Sequence, residues 1–250
     1  MESPIQQMTT QKRWTDIVLN PATMQQLEGL RTLLQQHKDP RTATKSIKPG
    51  YHVLFYGPPG TGKTLAASLL AKELGQELYK IDLPGLVAKY IGETEKNLGL
   101  LFDNAEKNSW ILFFDEADAL FGKRTGVKDS HDKYANQEIS FLMERIEDFQ
   151  GLQILASNRK DNIDDAFIRR FQSIIHFPLP TADERRKLWE MALSGYQPVG
   201  EPIDIDLLAG KFELSQASIV NIVEDVRQNT GAVTLDLIDR GIKLEMSKQV

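Results

Sequence analysis

An apolar run, Val53-Leu54-Phe55-Tyr56, leads directly into Gly57-Pro58-Pro59-Gly60-Thr61-Gly62-Lys63-Thr64 and then into a helix-compatible run from Leu65 to Leu74. Glycines at this spacing let the backbone wrap until several N–H groups face one centre, and a helix starting there adds its positive end. Such a centre attracts a polyphosphate. Lys63 is suited to neutralise the β- and γ-phosphate oxygens, and the Thr64 hydroxyl is placed to ligate magnesium. The bland alternative is a Gly/Pro turn between a strand and a helix. The full Gly-x4-Gly-Lys-Thr pattern in that setting favours a phosphate-binding loop.

The pattern around this loop is regular. His52 to Tyr56, Ile111 to Phe114, Leu152 to Ala156 and Ser173 to Phe177 are short apolar runs of the kind buried on both faces of a parallel sheet. Glu77 to Ile81 is more mixed and is expected at an edge. Leu98, Leu101, Phe102 and Ala105, then Ile139, Leu142, Met143 and Ile146, recur at helical spacing, and Gly75 is placed to stop the helix that begins in the loop. This predicts a doubly wound α/β fold with a parallel five-stranded sheet. A further helix, Pro21 to Gln36, with Met24, Leu27, Leu30 and Leu34 along one side, reads as a brace. A polar connection, Lys38 to Gly50, separates it from the first core strand. After Pro178 and Pro180 the pattern turns wholly helical. Thr181 and Glu184 have capping-box spacing, Ser215 precedes Ile219, Ile222, Val223 and Val226 on one face, and a third helix is expected from Thr234. The longest loop of this part holds Gly195, Pro198, Gly200 and Pro202. The expected organisation is a flexible lead over 1–13, a nucleotide-binding α/β domain over 14–179 and a small helical lid domain over 180–250.

Two hundred and fifty residues suffice for one large core and a satellite, and hardly for two nucleotide-binding lobes. With 41% hydrophobic and 26% charged residues, no apolar run approaches the about 20 residues that span a membrane. The first residues lack the basic-then-apolar order of a signal peptide. Cysteine is absent, which removes disulfides and thiolate metal sites and favours a reducing, cytoplasmic setting. A net charge of -5 offers nucleic acid no bulk attraction and disfavours it as a partner.

Phosphate binding alone does not specify hydrolysis. Ile111-Leu112-Phe113-Phe114 delivers Asp115 and Glu116 at the carboxyl end of a strand, where ligands bind in open α/β sheets. Asp115 is expected to hold magnesium through water, and Glu116 to orient and polarise the attacking water. Asp115-Glu116-Ala117-Asp118 also spells the signature of an RNA helicase class, which needs a second lobe and a Ser-Ala-Thr on the next strand. This chain has Ala156-Ser157-Asn158 there instead. Asn158 is placed to hydrogen-bond the water or the γ-phosphate, or is simply an Asn in a strand-to-loop turn.

The order and spacing of these motifs resemble the AAA ATPases, in particular the clade of katanin and spastin, from about residue 14 onward. Gly57 to Thr64 matches that family's Walker A loop, Ile111 to Glu116 its Walker B strand, and Asn158 its sensor-1 asparagine. The stretch Ile163 to Phe171 is similar to its second region of homology, whose paired arginines reach a neighbouring subunit's ATP. The resemblance therefore implies ATP and magnesium, a homo-oligomeric ring that is usually a hexamer, and Arg169 and Arg170 acting in trans. Surface ion pairing is the alternative for both arginines. It also implies that Asp16, Ile17, Leu65, Gln216 and Ala217 border the nucleotide, and that Lys89, Tyr90 and Ile91 line a central pore gripping a protein substrate. Without the family, Tyr90 is a half-buried loop aromatic. The polar stretch Gly122 to Asp132 matches the position of a second pore loop. Two departures stand out. The family's Gly-Ala pair at the lid is Gln216-Ala217 here. No N-terminal recognition domain precedes the homologous region, which implies a fragment or a partner adaptor. His131 to Glu138 resembles a subgroup encoded beside bacterial contractile injection systems; read alone, His131 is a loop residue, because no second His stands at metal-ligand spacing. The expected activity is ATP hydrolysis driving remodelling of a protein. A nucleic-acid motor and an ATP-organised scaffold are the rivals.

Overall fold

The structure, a computed structural model, describes residues 4–38, 50–83, 85, 94–118, 141–196, 202–230 and 233–248. It divides into two compact units. One comprises Met1–Trp14, Thr23–Gly57 and Lys63–His176, the other Thr15–Ala22, Pro58–Gly62 and Phe177–Val250.

The larger unit carries β1 (Ile5–Met8), β2 (Tyr51–Tyr56), β3 (Leu78–Asp82), β4 (Ile111–Asp115), β5 (Leu152–Ser157) and β6 (Ser173–His176). They form one sheet in the order β1-β3-β4-β5-β2-β6, parallel from β3 to β6. The longer helices among the described residues of this stretch are α1 (Pro21–Lys38), α2 (Lys63–Leu74), α3 (Thr94–Asn108) and α4 (141–148), and Asp165–Ile168 adds a single turn. Ile111 to Phe114 are fully buried, so both faces of the sheet must be covered. Leu112 and Phe114, two apart and thus on one face, share a core with Leu101, Phe102 and Ala105 of α3 and Leu142 and Ile146 of α4. The second helix, α2, runs against β3, β4 and β5. It ends as the sequence predicts: Gly75 adopts φ 61, its N–H donates to the Lys72 carbonyl, and the Gln76 N–H donates to the Ala71 carbonyl.

Two expectations change. Residues 1–13 do not all form a flexible lead, because Ile5–Met8 pairs antiparallel with β3, from Ile5↔Ile81 to Met8↔Leu78. The strand displaces β3 from the edge and makes the sheet six-stranded. Its four residues have exposed middle positions and show no apolar alternation; an open sheet edge recruits them through backbone hydrogen bonds, which any sequence supplies.

The smaller unit ends in α5 (Ala182–Leu193), α6 (Ile205–Lys211), α7 (Gln216–Thr230) and α8 (Leu235–Ser247). Trp189 is fully buried among Leu188, Leu208, Ile219, Ile222 and Ile238. The capping box at α5 is present: the Glu184 N–H donates to Thr181 Oγ1 at 3.3 Å, and the Thr181 N–H donates to Glu184 Oε2 at 2.8 Å. Helix α6 is one more than the three helices expected. At seven residues it is too short to display a period, although Asp204 caps it by accepting from the Leu207 N–H at 2.9 Å.

Phe114→Ala would remove a fully buried ring that stacks on Phe102, and should cost about 3–5 kcal/mol in urea-unfolding stability. Leu100→Ala, at a residue 53% exposed, should change stability by less than about 0.5 kcal/mol.

Candidate functional site

The strand order decides which side chains meet. In the larger unit β2 lies beside β5, and β5 beside β4, so the carboxyl ends of all three stand in a row. Gly57 leaves β2, Asn158 leaves β5, and Asp115 closes β4 before Glu116. The Gly57 N–H donates to the Ser157 carbonyl at 3.2 Å, tying the first two exits together. Lys63, at the start of α2 and only 8% exposed, donates its ammonium to the Gly57 carbonyl at 2.5 Å and to Asn158 Oδ1 at 3.2 Å. Burial, partly offset by Asp115 and Asp118, pulls this ammonium down from the ordinary lysine range to about 8.

The Asp115 carboxylate is engaged at both oxygens. Its Oδ1 accepts from the Glu116 N–H at 3.0 Å, and its Oδ2 lies 2.7 Å from Lys80 Nζ on β3. Lys80 was not foreseen, because a lone lysine in a strand of mixed pattern reads as a solvated face. Glu116 is exposed and holds φ 53, a left-handed backbone that a side chain adopts at a cost. That turn carries its carboxylate beyond the strand end, while the next N–H, of Ala117, returns to the Ala156 carbonyl at 2.9 Å.

The smaller unit holds the middle of the loop, Pro58 to Gly62. Gly60 has φ 76, and a Cβ there would stand 2.4 Å from Ser215 Oγ; at Gly62, with φ 100, it would stand 2.9 Å from Ile17 Cδ1. Only glycine fits either place. The Thr61 hydroxyl donates to the Pro58 carbonyl at 2.8 Å, and the Ala217 N–H donates to the Gly60 carbonyl at 3.0 Å. Pro59 is exposed, and Leu65, in the first turn of α2, is partly buried. Of Asp16 and Ile17, both expected at the nucleotide, Ile17 abuts Gly62 and Asp16 is joined to Gln216, whose Nε2 donates to the Asp16 carbonyl and whose Oε1 accepts from the Val18 N–H.

The paired arginines differ from one another. Both are exposed, and Arg170 is in addition ion-paired with Glu147 of α4 and lies over the Phe167 ring. Lys89, Tyr90 and Ile91, the Gly122 to Asp132 stretch and the His131 to Glu138 block all lie outside the described residues.

Comparisons with known proteins agree with this geometry. The family model described as "ATPase family associated with various cellular activities (AAA)" matches residues 53–179, just over half of the chain. The chain belongs to the AAA ATPases. It is 33% identical over 247 residues to a cell division cycle protein 48 homolog of Archaeoglobus fulgidus, covering 95% of this chain and 32% of that one. To a proteasome-activating nucleotidase of Methanothermobacter thermautotrophicus it is 33% identical over 220 residues, covering 81% of this chain and 53% of that one. This AAA chain thus spans from about a third to about half the length of such curated relatives. The crystal structure of the FIGL-1 AAA domain in complex with ADP superposes with a TM-score of 0.74 at 21% identity, over 96% of this chain and 86% of that one, which establishes the shared fold. The likeness to injection-system proteins gains no support from these relatives. No helix among the described residues is long and apolar enough to cross a membrane.

The residues also fit a hard divalent cation. Thr64 and Asp115 are oxygen donors, and Asp118 Oδ1 is buried with no hydrogen-bond partner among the described residues. Those residues contain no cluster of three or more acidic or histidine side chains. Magnesium keeps water and phosphate oxygens in most of its positions.

Before phosphate binds, burial holds the pKa of the Lys63 ammonium at about 8, below the ordinary lysine range. A bound polyphosphate favours the ammonium, so binding takes up a proton above that pH. Nucleotide affinity in the AAA domain should therefore fall as pH rises from 8 to 9.5. Calorimetry at pH 8.5 in buffers of different ionisation enthalpy should report proton uptake; release, or none, would contradict the assignment.

Proposed function

We propose that this AAA chain is a magnesium-dependent ATPase that works in a ring-shaped homo-oligomer, a hexamer, and uses hydrolysis to remodel or unfold a protein substrate. The observation that carries the reading is the meeting of Lys63 and Asn158 at 3.2 Å on the strand edge that also ends in Asp115 and Glu116.

In this mechanism Gly57 to Thr64 wraps the phosphates, and Lys63 turns its ammonium from the Gly57 carbonyl to the β- and γ-phosphate oxygens. Thr64 and Asp115 would hold magnesium, which supplies charge neutralisation at the phosphates. Asp115 then releases Lys80. Glu116, free of the strand, orients a water for in-line attack on the γ-phosphorus and accepts its proton as the bond to ADP breaks. Asn158 hydrogen-bonds that water or the γ-phosphate. Arg169 and Arg170 complete the site of a neighbouring subunit, where fixed guanidinium geometry neutralises charge developing on the γ-phosphate. Arg170 would first leave Glu147. Lys89, Tyr90 and Ile91 form the pore grip, since an aromatic face contacts varied side chains without demanding one sequence. An adaptor supplies substrate choice, and the absence of cysteine suits a cytoplasmic setting.

Lys63→Ala should weaken ATP binding by about 10- to 100-fold, the worth of one charged hydrogen-bonding group; unchanged affinity would remove the phosphate-loop assignment. Glu116→Gln should keep ATP binding while turnover drops about 100-fold or more, and normal phosphate release would exclude Glu116 as the base. Arg170→Ala should bind ATP yet lose turnover, with part recovered on mixing with Lys63→Ala subunits. If mixing restores nothing and turnover per subunit is independent of concentration, catalysis in trans is wrong.

A further inference from the structure

Gln216 stands where the resemblance implies a glycine, and its side chain is doubly engaged. Its Oε1 accepts from the Val18 N–H at 3.3 Å, and its Nε2 donates to the Asp16 carbonyl at 3.4 Å. These two backbone groups, a donor and an acceptor close together in the chain, are what the Watson–Crick edge of adenine requires. That edge places an amino donor beside a ring-nitrogen acceptor, the same pair that a carboxamide presents. The setting suits a base. Gln216 and Val18 wall a cleft with Leu19, Phe177, Pro178 and Thr61, the last a member of the phosphate loop. The cleft nevertheless contains a cavity of only ≈ 10 Å³, room for about one water and none for a purine.

We propose that Gln216 is a displaceable occupant of the base-recognition groups, standing in for adenine until nucleotide arrives. The proposal rests on the ATP reading above and adds a step to it. Gln216 is the first residue of α7 and is 8% exposed; Ser215 caps that helix by accepting from the Ser218 N–H at 3.2 Å, and the Ala217 N–H is held by the Gly60 carbonyl. The backbone around Gln216 is therefore fixed by contacts that do not involve its side chain. Rotating the amide out releases its bonds to the Val18 N–H and the Asp16 carbonyl without unwinding the helix. Its two bonds are both long, which makes exchange for a better-fitting partner favourable. Nucleotide affinity is lowered by the fraction of molecules whose cleft is plugged, and the step acts on ATP and ADP alike because it concerns the base.

The test compares wild type with Gln216→Ala by competition against a fluorescent ATP analogue, using ATP, ADP and inorganic tripolyphosphate as competitors. ATP and ADP should each bind about fivefold tighter in the variant, the release of roughly one net hydrogen bond, and tripolyphosphate affinity should not change. Melting without nucleotide should fall in the variant while the shift produced by ADP grows, which separates unplugging from misfolding. Weaker ATP binding would overturn the proposal and make Gln216 a base ligand. Equal affinity in both proteins would overturn it too, as would tighter tripolyphosphate binding, which would move the effect to the phosphate loop. Lys63→Ala tests the phosphate site separately, so loss of one reading is distinguishable from loss of the other.

Discussion

A lysine ammonium withdrawn from water must be met by acceptors, and in this molecule Lys63 sets that demand. At 8% exposed it is held by the Gly57 carbonyl and Asn158 Oδ1, with Asp115 and Asp118 supplying negative field. Uncompensated burial of such a charge would cost several kcal/mol. The acceptors come from residues 57 and 158, about a hundred positions apart in sequence. Only a sheet that sets β5 against β2 can bring them to one nitrogen. The arrangement keeps the ammonium in readiness, because each of its acceptors is weaker than a polyphosphate.

Strand β5 is the element that makes this possible. All six of its residues are buried, including Gln153 and Ser157, and it hydrogen-bonds to β2 on one side and β4 on the other. Its buried polar groups are partly paired: Ser157 Oγ donates to the Arg159 carbonyl at 2.9 Å, whereas Gln153 Oε1 has no hydrogen-bond partner among the described residues. Gln153 Nε2 reaches both the Ile146 carbonyl and the His52 ring across the β2–β5 register. Burial, then the Arg170 guanidinium, hold the His52 imidazole below its ordinary value. A neutral ring is what a buried amide tolerates. The same guanidinium is the one proposed to serve a neighbouring subunit.

In the smaller unit the constraint is steric. Gly60 and Gly62 touch Ser215 and Ile17 so closely that a Cβ would not fit. The loop's curvature therefore depends on the segment that includes Ile17 as well as on the start of α7. Gln216 closes the same region through backbone groups of residues 16 and 18. A substitution for glycine at this place thus adds a polar tie, and the tie competes for groups that a base would use.

Much of this was legible from residues alone. Gly57 to Thr64, the apolar strands, Gly75 after α2 and the Thr181–Glu184 cap each depend on short-range geometry, and short-range geometry is written in local sequence. The identity of Asp115, Glu116 and Asn158 as candidates also followed from their places at strand ends. Strand β1, helix α6 and Lys80 did not, since β1 is held by backbone bonds that carry no side-chain signature, α6 is shorter than two periods, and an isolated lysine has no pattern. The sequence by itself determined that a phosphate-binding turn would sit between a buried strand and a helix, because only glycines permit that backbone path. Tertiary structure alone decided what the turn's lysine and lid would touch: the strand order brings Asn158 to Lys63, and the fold of the smaller unit brings Gln216 to Asp16 and Val18. Contacts between residues a hundred or two hundred positions apart are fixed by packing, and no local rule encodes them.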